Sequence, residues 1–132
     1  MPKKILIVDD DPDVRLFLST LLKDNGFEPL EAANGIEGLE LAELQGPCLI
    51  LLDLMMPRKS GIAMLADLCS NERLRRIPVI MVTGVTGETG IDLNAFLARG
   101  AFVPAGIIEK PIDPDLLIST VKKALEGRSG NA

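Results

Sequence analysis

The sequence predicts an α/β protein, a doubly wound five-stranded parallel sheet with helices on both faces. Three observations predict it. Short apolar runs alternate with amphipathic stretches five times along 132 residues, the pattern of repeated βα units. The run Cys48-Leu49-Ile50-Leu51-Leu52 is apolar at every position, as in a strand buried on both faces in the middle of a parallel sheet. Hydrophobic residues make up 47% of the chain, enough for one core in one domain. Right-handed crossovers between parallel strands then restrict the topology.

The first strand is expected over 4–8, Lys-Ile-Leu-Ile-Val. Asp11 and Pro12 read as an N-cap and a first helical residue. Val14, Phe17, Leu18, Leu21 and Leu22 follow at helical spacing, and Gly26 closes the first helix. The second strand is expected over 27–32. Asn34 caps a second helix that reaches Leu44 and stops before Gly46-Pro47. The third strand covers 48–52. A third helix starts near Ser60-Gly61 and carries Ile62, Leu65, Leu68 and Cys69 on one face. The fourth strand, 79–82, is entered through Pro78 and left through Thr83-Gly84. A weaker helical stretch spans 87–99. The fifth strand is expected over 106–109, and Asp113-Pro114 opens a last helix with Leu117, Val121, Ala124 and Leu125 on one face. Residues 127–132 have linker composition, so the domain is assigned to 1–126 and the remainder to a flexible tail.

Composition excludes several classes. The net charge is −5, which disfavours nucleic-acid binding by the chain itself. No apolar run approaches the ~20 residues that span a bilayer. Met1-Pro2-Lys3-Lys4 leads straight into a strand pattern, with no room for a signal peptide. The expectation is a cytoplasmic protein with no membrane association, whose two cysteines, Cys48 and Cys69, are buried reduced thiols. There is no histidine, which removes His-bearing zinc sites, Ser–His and Cys–His nucleophile pairs and histidine phosphocarriers.

The strand exits carry the chemistry. The first strand ends in Asp9-Asp10-Asp11, the third in Asp53, and the fifth in Glu109-Lys110-Pro111. Ligands of open α/β sheets bind outside the carboxyl ends of the strands. A carboxylate at the exit of a buried strand costs free energy unless something pairs with it. Singly, these residues have plainer readings: Asp11 a helix cap, Thr83 a turn residue, Lys110 a solvated lysine. Together, the acids and the lysine make a site for a cation and a phosphoryl group. Asp10 and Asp53 suit a hard divalent cation, Mg²⁺ above others.

The motifs Ile5-Leu6-Ile7-Val8-Asp9-Asp10, Leu51-Leu52-Asp53-Leu54-Met55-Met56-Pro57 with Gly61, Pro78-Val79-Ile80-Met81-Val82-Thr83-Gly84, Gly100-Ala101 and Lys110-Pro111 occur in this order. In this the chain resembles the response-regulator receiver domains of two-component signalling, the family of the chemotaxis protein CheY. The resemblance implies a flavodoxin-like strand order, 2-1-3-4-5. It implies that Asp53 is the phosphoacceptor. It implies Mg²⁺ held by Asp10, Asp53 and the backbone carbonyl of Met55, with Asp9 helping directly or through water. It implies that Lys110 neutralises the phosphoryl group, that Thr83 donates its hydroxyl to it, and that the Lys110-Pro111 bond is cis. The donor would be a histidine kinase or a histidine phosphotransfer protein. Phosphorylation would alter the face made by the fourth helix, fifth strand and fifth helix, through which the family binds partners and often forms homodimers. The downstream target is not legible, and no activity beyond the protein's own phosphorylation and dephosphorylation is expected.

Two departures stand out. The switch position three before Lys110, usually Tyr or Phe, is Ile107, and the loop before the fifth strand is longer than the usual pattern. Met55 and Val85 are apolar beside the expected phosphoryl site and would shield it from water. An alternative therefore stands beside the phosphoacceptor: a degenerate receiver that acts as a phosphorylation-independent interaction module. Enzyme and ion-binding alternatives fail on motif. A D-x-D-x-[TV] phosphatase signature is absent, since the fifth residue from Asp9 is Asp13 and from Asp11 is Arg15. An EF-hand loop from Asp9 would place Val14 sixth and Thr20 twelfth. The glycines at 84, 87 and 90 are not followed by Gly-Lys-Ser/Thr.

Overall fold

A computed structural model describes residues 2–54, 61–84 and 104–129. Five parallel strands, β1 (Lys4–Val8), β2 (Glu28–Ala32), β3 (Leu49–Asp53), β4 (Val79–Thr83) and β5 (Gly106–Glu109), pair in the order β2-β1-β3-β4-β5. Among the described residues four helices connect or follow them: α1 (Pro12–Asp24), α2 (Gly35–Gln45), α3 (Gly61–Ser70) and α4 (Pro114–Ser129). The sheet order and the doubly wound architecture agree with the sequence-based expectation.

Alternate strand residues point to opposite faces, and helices cover both. On one face Leu6, Val8, Ile50, Leu52, Val79 and Met81 pack with Ala42 of α2 and Met64, Leu65 and Leu68 of α3. On the other, Ile5, Ile7, Leu49, Leu51, Ile80 and Val82 pack with Leu18 and Leu22 of α1 and Leu117, Val121 and Leu125 of α4. This double cover explains why β3 is buried along its whole length and why its sequence shows no alternation.

Local signals set the helix ends. Asp11 caps α1 by accepting from the Asp13 N–H at 2.9 Å, with Pro12 at the first position. Gly26, at φ +85°, turns the chain out of α1 toward β2. Asn34 caps α2, accepting from the N–H groups of Ile36 and Glu37 at 2.9 and 3.0 Å, while Glu37 reaches back to the Ala33 N–H at 2.8 Å. Asp113 caps α4 through the Asp115 and Leu116 N–H groups.

Some details differ from expectation. Asp53 is the last residue of β3, opposite Val82 in register, because pairing with β4 continues one residue past the apolar run. The sequence does not anticipate a 3₁₀ turn at Leu74–Arg76, which follows an Asn71 side chain that accepts from the Arg73 and Leu74 N–H groups. Cys48 and Cys69 are half-buried rather than buried, and neither forms a disulfide. The Cys48 thiol donates to the Lys4 carbonyl at 3.2 Å, and burial raises the pKa of the Cys69 thiol. Helix α4 extends to Ser129, past the expected domain end at 126. The expected helix over 87–99, and Met55, Ser60, Val85, Gly100 and Ala101, lie outside the described residues. Among the described residues no helix is long and apolar enough to cross a membrane.

Candidate phosphoacceptor site

The chain leaves β1 for β2 on one side and returns to β3 on the other, so the exits of β1 and β3 form the crevice where such sheets bind ligands. Asp9 follows β1 and Asp53 ends β3. They are 1% and 3% exposed. Asp10 is exposed, at the mouth of the same crevice. One carboxylate oxygen from each of Asp9, Asp10 and Asp53 lies within 4.8 Å of the other two.

Lys110, just past β5, reaches across β4 into this group. Its Nζ lies 3.3 Å from Asp9 Oδ2 and 3.5 Å from Asp53 Oδ2. Burial lowers its pKa, but the negative charges of Asp53 and Asp9 and the hydrogen bonds to both outweigh burial and hold it above the ordinary value of 10.5. The Lys110-Pro111 peptide is cis, in agreement with the expectation from resemblance. Three carboxylates around one ammonium leave the pocket negative, which suits an added cation.

Backbone fixes the rest. The Asp9 N–H donates to the Ala32 carbonyl at 3.1 Å, and Asp9 Oδ1 accepts from the Asp11 N–H at 2.9 Å. Leu54 N–H donates to Val82 O, and Gly61 N–H donates to Leu54 O, each at 3.2 Å. Gly61 is pressed against the exit of β3: a Cβ there would meet the Asp53 carbonyl oxygen and, at 2.6 Å, the Leu54 Cα. The start of α3 can therefore lie under the acidic pocket only without a side chain.

The structure thus brings together Asp9, Asp10, Asp53 and Lys110, four of the residues singled out from the sequence. Thr83 is the last residue of β4, opposite Glu109 in register; the position of its side chain lies outside what is described. Ile107 points outward and is 43% exposed. A groove of about 240 Å³ lies beside the pocket, lined by Asp13, Val14, Phe17, Lys110, Pro111 and Ile112. Sequence reasoning missed Arg15. Its Nη1 donates to the Asp9 carbonyl at 2.7 Å, and its Nε lies 3.4 Å from Glu31 Oε1. The available signal was a lone cation in the acidic first turns of α1.

A parallel sheet in this order, with a buried acid pair and a lysine at its carboxyl edge, defines a doubly wound α/β domain whose candidate site lies at the strand exits. Residues 5–122 match the response regulator receiver domain family, and the chain belongs to that family as a receiver domain of two-component signalling. It is 34% identical to protein PilH of Pseudomonas aeruginosa over 124 residues, covering 94% of this chain and 98% of PilH. It is 35% identical to the polar-differentiation response regulator DivK of Brucella anthropi over 126 residues, covering 95% and 98%. Among solved structures, a CheY-like receiver domain protein from Methanospirillum hungatei superposes with TM-score 0.84 at 29% identity, with both chains covered fully. The chemotaxis protein CheY4 of Vibrio cholerae superposes with TM-score 0.83 at 26% identity, covering 95% of this chain and 100% of that one. Receiver domains interact with kinases and downstream effectors and typically bind Mg²⁺, and the acidic cluster here is consistent with that.

Proposed function

We propose that this receiver accepts a phosphoryl group on Asp53 from a phosphohistidine of a histidine kinase or phosphotransfer protein. The observation that carries the reading is the placement of Lys110 between Asp9 and Asp53 at the exits of β1 and β3. These 132 residues contain no histidine, so the donor phosphohistidine lies outside them.

The pocket residues fit a divalent cation. The donor set is oxygen only, gathered within 4.8 Å, and the exposure of Asp10 leaves room for the water that Mg²⁺ retains. Asp9, Asp10 and Asp53 would hold Mg²⁺, with the Met55 carbonyl assigned from family resemblance; bound there, it neutralises phosphoryl charge. Asp53 attacks phosphorus through a carboxylate oxygen as the donor N–P bond breaks. The electron pair of that bond returns to the imidazole. Lys110 accompanies the charge from Asp53 to the phosphoryl oxygens. Family resemblance assigns Thr83 as the hydroxyl donor to one of those oxygens. The new charge then shifts the balance between two conformations of the surface that includes β5 and α4. The protein catalyses nothing beyond its own phosphorylation and dephosphorylation.

The exposed Ile107 favours a second reading, a module that binds its partner without phosphorylation. The test is intact mass after incubation with acetyl phosphate. Gain of one phosphoryl group that needs Mg²⁺ and is lost in Asp53→Asn supports the first reading. No gain in a folded protein supports the second.

A further inference from the structure

We propose that Arg15, anchored by Glu31, is a positioning residue that sets the Asp9–Asp10 arm of the pocket for its divalent cation. The proposal rests on the cation reading above and extends it to two residues outside the carboxylate cluster.

Every polar atom of Asp9 is engaged. Its N–H donates to Ala32, Oδ1 accepts from Asp11, Oδ2 accepts from Lys110, and its carbonyl accepts from Arg15 at 2.7 Å. The last contact is short and charge-assisted, the stronger kind of hydrogen bond. It falls on the peptide unit that joins Asp9 to Asp10. That unit is planar, so holding its oxygen sets the direction in which the chain presents Asp10. Asp10 is exposed, so its backbone sets where its side chain leaves the chain toward the pocket.

Arg15 is itself held. Its backbone N–H donates to Asp11 O at 3.0 Å, its side chain is 19% exposed, and Glu31 on β2 takes the Nε edge of the guanidinium at 3.4 Å. The planar fork therefore spans from β2 to the exit of β1, a geometry that one point charge on a flexible stem reproduces poorly. Partners that orient metal ligands from outside the ligand set are worth roughly tenfold or more in metal affinity.

The test is calorimetric titration of the intact chain with Mg²⁺, paired with the Mg²⁺ dependence of acetyl phosphate labelling. Arg15→Met is expected to weaken Mg²⁺ binding about tenfold. It should raise the Mg²⁺ needed for half-maximal labelling by the same factor and leave the rate at saturating Mg²⁺ unchanged. Arg15→Lys should recover part of the loss, and Glu31→Gln should weaken binding without adding to Arg15→Met. A protein that merely lost stability would show a lower melting temperature and wild-type affinity for Mg²⁺; that result overturns the proposal. Should Arg15→Met not fold, Glu31→Gln decides, and wild-type Mg²⁺ affinity in that variant overturns it. Wild-type protein that binds no Mg²⁺ overturns the cation reading itself, a failure seen before any variant is compared.

Discussion

The ammonium of Lys110 stands 3.5 Å from Asp53 Oδ2 and 3.3 Å from Asp9 Oδ2, one cation shared by two buried carboxylates at the exits of different strands. Removing one partner of a buried pair leaves uncompensated charge. Lys110 is 30% exposed, so water screens part of the loss. Lys110→Ala is expected to cost about 2 kcal/mol in metal-free solution, and saturating Mg²⁺ should return part of it. Urea unfolding with and without EDTA measures both.

The same pairing sets a pH dependence. The folded-state pKa of Lys110 lies above 10.5. Below 10.5 the lysine is charged in both states and its contribution is complete. As pH rises past that value, the unfolded chain loses the proton first, and the contribution disappears as pH passes the folded pKa. The stability difference between wild type and Lys110→Gln should therefore be flat through neutral pH and shrink only at the alkaline end.

Metal should stabilise the fold. Mg²⁺ at tenfold its dissociation constant contributes about 1.4 kcal/mol, a rise of roughly 5 °C in melting temperature for a domain of this size. Asp10→Asn should abolish most of the rise, since it removes a pocket carboxylate that lies at the surface. Thermal melts of the two proteins across a Mg²⁺ series check this.

Gly61 is expected to tolerate no side chain. A Cβ would drive the start of α3 into Leu54 and the Asp53 carbonyl. Gly61→Ala should cost about 2 kcal/mol and weaken Mg²⁺ binding with it, because the strand exit that carries Asp53 must shift.

Ser19 supplies a control far from the chemistry. Its hydroxyl is buried without a hydrogen-bond partner among the described residues. Ser19→Ala should stabilise the protein by about 1 kcal/mol and leave phosphorylation unchanged. Unfolding midpoints and labelling rates report the two effects separately.

The central strands were the most legible part of the sequence. β1 and β3 are apolar at nearly every position because both faces are covered, and Asp11, Asn34 and Asp113 cap the helices they were expected to cap. β2 was legible more by place than by pattern, since Glu-Pro-Leu-Glu-Ala shows no continuous buried face. β3 runs one residue past its apolar run, because a polar side chain does not end backbone pairing and Asp53 keeps its place opposite Val82. The turn at Leu74–Arg76 holds one buried residue, Leu74, among arginines and leaves no periodic trace. Asp9, Asp10, Asp53 and Lys110 were visible because each ends an apolar run. Arg15 was harder to see: a lone cation in the acidic first turns of α1 was its signal, but its shortest contact is to a main-chain oxygen, which no residue type in the sequence marks.

The most direct measurement is to locate the phosphoryl group. The protein is labelled with acetyl phosphate and Mg²⁺, and borohydride then reduces the acyl phosphate to an alcohol as phosphate leaves. Peptide mass mapping should find homoserine in place of the aspartate at position 53, only in labelled protein and only when Mg²⁺ was present. Reduction at Asp9 or Asp10 instead, or at no residue of a folded protein, would contradict the assignment of Asp53 as the phosphoacceptor.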